Sequence, residues 1–162
     1  MGLRMMLAML AVLPCVARAE NNCPWLNEAT ASGLLGGDAV NVYQAAAADK
    51  PAQCLFTHQE AGMTRRLEIT VAVVADPHAK FTAAAQVCGQ SAVPMKAIGN
   101  EALTCSADDR KGTWGERVVG RVRDQVFQIT LTTMVKDDPI LTRGALKMRL
   151  ATAAEQVAGN LF

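Results

Sequence analysis

The chain has 162 residues, of which 51% are hydrophobic and 19% charged, with 16 basic residues against 15 acidic ones. This length suits one domain with its own core, and the near-neutral charge offers no basic surface for nucleic acid or an anionic membrane. Only 4% of the residues are aromatic, which also argues against recognition by base stacking.

The first 19 residues, MGLRMMLAMLAVLPCVARA, have the three parts of a secretory signal. Arg4 gives the positive start, residues 5–12 form the apolar core, and ARA supplies the small residues that signal peptidase recognises. The apolar run is well short of the roughly 20 residues of a membrane-spanning helix, and no other segment approaches that length. We therefore expect cleavage before Glu20 and a secreted or periplasmic domain of residues 20–162.

Cys15 raises an alternative, in which this cysteine carries a lipid as in bacterial lipoproteins. A lipobox has a small residue before the cysteine, whereas Pro14 stands there. If residues 1–19 are removed instead, Cys15, Arg4 and Arg18 are lost but no acid. The basic residues then fall from 16 to 14 against 15 acidic ones, and the net charge changes from +1 to −1.

Four cysteines remain after that cleavage, and an even number in an exported chain indicates two disulfides. Three connectivities are possible. Zinc binding is disfavoured because no two of these cysteines have the close C-x2-C spacing of zinc ligands. We favour the connectivity in which each bridge closes a moderate loop between neighbouring elements, Cys23 with Cys54 and Cys88 with Cys105.

The first half of the chain predicts one helix and three strands. Asn27 can cap a short helix in LNEATASGLLGG, and Gly36 can end it. Two strands over residues 39–46 and 53–59 follow, on either side of the turn sequence DKP. The alternation in TRRLEITVAVVAD then predicts the clearest strand, with one apolar face made of Leu67, Ile69, Val71 and Val73.

A second helix is predicted where Asp76 can act as the cap and Pro77 as the first helical residue, and it continues to Gly89. The loop SAVPMKAIGN and a short strand, EALTCSA, come next. The segment GTWGERVVGRVRDQVFQITLTTM then predicts a β-hairpin. Pairing Val122 with Phe127 puts the large apolar residues on one face, around a two-residue loop at Asp124-Gln125, whereas a three-residue loop would divide them between faces.

The last predicted element is a long helix, capped by Asp138 and opened by Pro139. Its apolar residues recur at helical spacing. No repeat or linker divides the chain, so we expect an α+β fold in which an antiparallel sheet of about six strands is packed by a short N-terminal, a middle and a long C-terminal helix. The apolar stripe of that last helix comprises Leu146, Leu150, Ala153, Val157 and Leu161.

The order of short motifs resembles a family of small bacterial domains. A cysteine before a helix ending in LLGG, a CLF strand, the turn AIGNEA, the hairpin RVVGRVRDQVFQITL and a terminal helix occur in sequence. Together they resemble secreted or lipid-anchored domains of unknown function with a PsbP-like fold. The resemblance implies that fold and the Cys23–Cys54 pairing, and it implies no catalytic residue. It also suggests that Gly99 permits an unusual backbone turn.

His58 and Glu60 lie two positions apart on a predicted strand and so face the same side. With His78, the only other histidine, they could form a metal or acid–base site. The spacing matches no known histidine motif, and His78 follows Pro77 in the first turn of a helix, where a polar residue needs no special role. No serine lies in a G-x-S-x-G elbow, and oxidised cysteines supply no thiolate.

The predicted hairpin also carries a candidate binding surface. Arg117, Arg121 and Arg123 share one side of it, where their guanidinium groups could grip a carboxylate, a phosphate or an acidic partner. The alternative is a solvated sheet face whose long side chains discourage aggregation. Trp114, between two glycines, is the tryptophan expected to be more exposed, and Trp25 could seal one end of the core.

These observations favour an exported, disulfide-stabilised domain that binds an unknown protein, peptide or small molecule and that is not an enzyme. Its partner could belong to the cell envelope. They assign it no catalytic residue, no metal and no cofactor. Its candidate ligand-binding residues are Arg117, Arg121, Arg123 and Trp114. The alternatives are a small secreted hydrolase or metalloenzyme that uses His58, Glu60 and His78, and a structural envelope component.

Overall fold

The computed structural model describes residues 22–48, 50–109 and 112–162. The predicted signal segment, Cys15 and the cleavage site lie outside these residues. No helix in the described part of the chain has the length and hydropathy needed to cross a membrane. The elements in chain order are α1 (Glu28–Leu35), β1 (Val40–Gln44), β2 (Ala52–Glu60), β3 (Met63–Val73), α2 (Pro77–Ala85), a 3-10 helix (Gln86–Ser91), β4 (Val93–Pro94), β5 (Glu101–Ser106), β6 (Trp114–Val122), β7 (Gln125–Thr133) and α3 (Arg143–Asn160).

The seven strands form one antiparallel sheet in the order β1-β2-β3-β7-β6-β5-β4. This confirms the α+β class with an antiparallel sheet and three α-helices. The strand beyond the predicted set is β4, two residues long, in the segment predicted to be a loop. So short a strand gives no periodic signal. It pairs with Leu103 and Thr104 of β5.

The inner face of the sheet, defined here as the face under α1 and α3, holds the main core. The C-terminal helix α3 packs on β6 and β7, whereas α1 packs on β2 and β3. The predicted apolar stripe of α3 is buried along its whole length, as its spacing requires. The predicted stripe of β3 is buried at Leu67, Ile69 and Val71, but Val73 is 71% exposed because the strand ends there.

The outer face of the sheet is covered only in part. Helix α2 lies against β6 and β7, where Phe81 packs on Val119 and Val126 in a second, smaller core. Most of the remaining outer positions of β2, β3 and β7 carry polar side chains, including an amide–carboxylate hydrogen bond from Gln53 to Glu68 (2.8 Å), although Leu55 of β2 also lies on this face. Among the described residues, the outer face thus forms a buried apolar cluster at α2.

The helix starts follow the capping pattern in two cases and depart from it in the third. Asn27 accepts a hydrogen bond from the Thr30 amide (2.8 Å), and Asp76 accepts one from Ala79 (2.9 Å), as predicted. The prediction that Asp138 caps α3 is wrong, because the cap is Thr142. The Asp138 carboxylate instead closes a turn by accepting from Ile140 and Leu141.

Asp138 also belongs to a buried ion pair with Arg65 of β3. The two side chains are 0% and 1% exposed, and they are joined by two hydrogen bonds of 2.7 and 2.9 Å. Arg65 additionally donates to the Leu35 carbonyl at the end of α1, and Thr133 of β7 donates to Asp138. The pair thus fastens α1, β3, β7 and the loop before α3 to one another.

The β6–β7 hairpin has the predicted face but another register. Val122 pairs with Gln125, not with Phe127, so the two-residue loop is Arg123-Asp124 instead of Asp124-Gln125. Both registers place Val118 and Val122 on the inner face with Phe127, because they differ by an even number of residues. The hydrophobic pattern therefore specified the face but could not distinguish registers two residues apart.

The AIGN loop before β5 holds this hairpin turn in place. Asn100 donates its amide to the Arg121 carbonyl (2.7 Å), and its side-chain oxygen accepts from the Arg123 amide (2.7 Å). Gly99 has φ +58° and lies so close to Arg121 that a Cβ would overlap the carbonyl oxygen. This contact accounts for the glycine.

Both favoured disulfides are present, Cys23–Cys54 and Cys88–Cys105. The first ties the segment before α1 to β2, and the second ties the 3-10 helix to β5. The bridges therefore join neighbouring elements, which is the arrangement expected from the moderate loop lengths.

Candidate functional site

The two histidines lie on opposite faces of the sheet. His58 follows Phe56 on the inner face of β2 and is 8% exposed, whereas His78 is on α2, which covers the outer face. His58 Nε2 lies 3.6 Å from the Glu60 carboxylate. No three His, Cys, Asp or Glu side chains among the described residues are grouped as metal ligands. The predicted set of His58, Glu60 and His78 is thus not brought together.

His58 has a structural environment in the part of the chain that is described. Its Nδ1 is 2.8 Å from the Asp38 carbonyl, which can only accept, so Nδ1 carries a proton. The ring packs on Gly37, where a Cβ would overlap it. Its Nε2 is buried without a hydrogen bond. The imidazole therefore acts as a spacer between β2 and the loop after α1.

The three candidate arginines do not converge on one point. Arg117 and Arg121 lie on the outer face of β6, four residues apart, where Arg117 Nε is 3.4 Å from the Thr130 hydroxyl. Arg121 donates to Glu101 (2.7 Å), a carboxylate that His78 also contacts (2.9 Å). The prediction that Arg123 shares their side is wrong, because Arg123 is in the turn.

The cross-strand partners of these arginines follow from the observed register of the hairpin. Arg117 is opposite Thr130 and Arg121 is opposite Val126, because the register is shifted from the predicted one. Arg123 has a left-handed backbone (φ +53°), and its guanidinium lies 5.7 Å from the centre of the Phe162 ring. Contacts with His78 and Arg121 lower the pKa of the Glu101 carboxyl against the opposing effect of burial. Arg121 is thus already neutralised within the fold.

Trp114 begins β6 on the inner face and is held by two cations. The Arg143 guanidinium lies 4.9 Å and the Lys136 ammonium 5.5 Å from the ring centre, both within cation–π range. Arg143 also grips Asp108 through both of its carboxylate oxygens. Burial acts to raise the pKa of Asp108, but the hydrogen bonds from Arg143 and from the Gly115 amide outweigh it and lower that pKa.

Next to Trp114 on the same face, a cleft opens between β5 and α3. It exists because α3 packs mainly on β6 and β7 and α1 on β2 and β3, so that among the described elements neither of these helices lies across β4 and the far end of β5. The cleft has a volume of about 330 Å³, which lies in the range of small-molecule sites. Its lining comprises Ser91, Val93, Met95, Thr104, Cys105, Ser106, Glu116, Lys147 and Ala151.

Glu116 is the buried charged group of this cleft. It is 4% exposed, and no described residue donates a hydrogen bond to its carboxylate or forms an ion pair with it. Burial raises its pKa, Asp108 adds to the increase, and the positive charges of Lys147 and Arg143 oppose it only in part. Because Arg143 is engaged by Asp108, the carboxylate of Glu116 keeps its acceptor capacity for a group inside the cleft.

A second cleft, of about 420 Å³, lies at the far end of β3 beside Trp25. Trp25 itself is buried, 8% exposed, with its ring edge on Tyr43. The charged residues of this cleft are Lys50 and Lys80, both exposed. Exposed ammonium groups are hydrated by water. Among its described residues, this cleft therefore has no buried charged group comparable to Glu116 that a ligand would contact.

The sequence carries a signal for Glu116, although this residue belongs to no catalytic or binding motif. In WGERVVGRV, Glu116 shares the parity of Val118 and Val122, which were assigned to the apolar face of the hairpin. An acid at that position is exceptional, since charged residues are seldom buried unpaired. Lys147 and Ala151 gave no such signal, because their place at the cleft depends on how α3 lies on the sheet.

Comparison of the chain with protein-family models, with curated proteins and with solved structures gives no match. The PsbP-like resemblance therefore stays a prediction from short motifs. What can be said of function has to come from the geometry of the chain itself.

Proposed function

We propose that this protein is an exported, disulfide-stabilised domain that binds a small ligand without transforming it, in the cleft between β5 and α3. The observation that carries the proposal is the Glu116 carboxylate, buried at 4% exposure with no donor from the described residues and open to a cleft. An ionised carboxylate accepts hydrogen bonds at both of its oxygens. A ligand with a donor group in the cleft would supply such bonds in place of water.

The two disulfides support this proposal in two ways, one concerning export and one concerning chemistry. The two disulfides are typical of an oxidising compartment, in keeping with the predicted secretory signal. The four described cysteines are all bridged, so none of them offers a thiolate for nucleophilic chemistry. We extend the proposal to a PsbP-like fold, supported by the order of motifs. Binding by Arg117 and Arg121 on the outer face stays a separate prediction.

Native mass spectrometry of the protein recovered from the envelope of its own host tests this proposal. We expect a retained small-molecule mass on the wild type and its loss from Ala151→Phe, in which a phenyl ring fills the cleft. The matched control is Thr152→Phe, at the exposed neighbouring position of α3, which should keep the ligand. A wild type without any adduct, or an adduct that Ala151→Phe retains, would contradict binding in this cleft.

Two further results would change the class of protein. Turnover of a substrate in a hydrolase panel, abolished in a His58→Ala protein that keeps its fold, would establish the enzyme alternative. Stable self-association without any ligand would instead favour a structural envelope component. Recovery of the protein from the cytosol with four free thiols would contradict export.

A further inference from the structure

The buried Glu116 carboxylate restricts the charge of a ligand in the cleft, whereas the volume of the cleft restricts only its size. An anion that entered would meet the Glu116 carboxylate in a poorly solvated place, where like charges repel strongly. A neutral ligand could donate a hydrogen bond to this carboxylate but would leave its negative charge uncompensated. A cation with several N–H groups would satisfy the carboxylate and neutralise it at once, through the strongest class of hydrogen bond.

The walls beside Glu116 are of two kinds. Val93, Met95 and Ala151 give an apolar surface, and the small side chain of Ala151 leaves room beside α3. The Thr104 hydroxyl is already used, because it donates to the Arg117 carbonyl (3.0 Å). The cleft therefore offers one acidic acceptor at its buried end and mainly hydrophobic contact elsewhere.

Lys147 lies at the exposed flank of α3, one turn before Ala151, so the two side chains share a face of the helix. Lys147 makes no ion pair with Glu116, although its charge acts on that carboxylate. Because the Lys147 ammonium group is solvated, it can move aside when a cationic ligand enters the cleft. The Glu116 side chain, which is buried on β6, stays in place.

We propose that this cleft binds a primary amine attached to an apolar group, with the ammonium against Glu116 and the apolar group against Val93, Met95 and Ala151. The inference rests on the proposed function, and it adds the class of ligand. It makes Glu116 the residue that sets specificity by charge.

Titration of the oxidised protein with three probes that share a phenylethyl group tests this charge selection. The probes are phenethylamine, 2-phenylethanol and 3-phenylpropanoate, a cation, a neutral molecule and an anion. The readout is the amide NMR shifts of Thr104, Ser106 and Ala151. We expect saturable shifts with phenethylamine at an affinity about tenfold or more above that of 2-phenylethanol, because a charge-assisted hydrogen bond is gained, and no saturation with 3-phenylpropanoate.

Glu116→Gln should abolish this preference by weakening phenethylamine about tenfold or more while leaving 2-phenylethanol unchanged. Glu155→Gln, at an exposed position of α3, is the matched control and should bind like the wild type. An unchanged amide spectrum away from the cleft shows that each variant is folded.

The remaining outcomes distinguish failure of the amine assignment from failure of the proposed ligand cleft. Equal binding of all three probes, tighter binding of 3-phenylpropanoate, or undiminished amine binding by Glu116→Gln would overturn the amine assignment and leave a ligand cleft. If no probe of any charge shifts the cleft amides, and the protein from its host retains no ligand, then the proposed function and the amine assignment fail together.

Discussion

A buried guanidinium needs its counter-charge at a fixed position, and Arg65 has it in Asp138. Asp138→Ala would leave Arg65 charged, nearly fully buried and without its main partner, so we expect a loss of about 3–5 kcal/mol in the free energy of unfolding. The measurement is denaturant unfolding. Asp137→Ala, at the exposed neighbouring position, should change stability by less than about 0.5 kcal/mol, and equal losses in both variants would refute this role.

Gly37 shows a second residue-scale constraint, because its missing side chain makes room for the His58 imidazole. Gly37→Ala would force the ring aside, and we expect a loss of about 1–3 kcal/mol as in other overpacked sites. Gly33→Ala is the control within α1. No atom lies near its Cβ position, and the change should stabilise the helix by up to about 1 kcal/mol. Thermal unfolding compares the two, and Gly37→Ala as stable as the wild type would contradict the packing.

At this scale the sequence predicts local partners well and distant ones poorly. Asn27 and Asp76 cap the helices that follow them because the hydrogen bond spans only three residues. Asp138 precedes a proline as a helix cap often does, but its partner Arg65 is 73 positions away. Nothing in the local pattern indicates that partner, so the sequence predicts a start for α3 that is too early.

Among the elements, the hairpin shows how one loop can select a register. Asn100 binds both Arg121 and Arg123, and it therefore holds the turn at Arg123-Asp124. Asn100→Ala removes the acceptor for the Arg123 amide, and we expect a loss of about 0.5–1.5 kcal/mol together with faster hydrogen exchange at Arg123. Ser106→Ala, at the other end of β5, should leave exchange at Arg123 unchanged. Unaltered exchange in Asn100→Ala would show that the turn stands without the loop.

The sequence could identify the hairpin elements and their faces, but the pairing needed this contact between elements. Apolar alternation is unaffected by a slip of two residues, which is why Val122 was paired with Phe127. The cleft has the same kind of origin, since it depends on α3 lying across β6 and β7 and leaving the far end of β5 open. Helical spacing predicts which face of α3 is buried, but not which strands it covers.

For the whole molecule, two buried acids have opposite effects on how stability depends on pH. Burial acts to raise the pKa of Asp138, yet the hydrogen bonds from Arg65, Leu141, Thr133 and Ile140 outweigh it and hold that pKa far below its ordinary value of 3.8. Asp138 therefore contributes stability that is complete above pH 3.8 and is lost as the pH falls below it.

Glu116 acts in the opposite sense, because burial raises its pKa above the ordinary value of 4.5. Between 4.5 and the raised value, the unfolded chain has released a proton that the folded chain retains, so stability falls as the pH rises through this window and then levels off. Together, these two groups should give the free energy of unfolding a maximum near the ordinary carboxyl values and a lower, level value above the raised pKa of Glu116.

Denaturant unfolding from pH 2 to pH 8 resolves the two contributions. Glu116→Gln should match the wild type near pH 3, where the carboxyl is protonated in both states, and should exceed it in stability at pH 7. Asp138→Asn should lose most of the rise in stability that the wild type shows as the pH increases toward 3.8. A Glu116→Gln protein no more stable than the wild type at pH 7 would show that the carboxylate is well solvated in the empty cleft. If the gain is found, the chain keeps a residue that weakens its own fold, which is the mark of a group retained for binding.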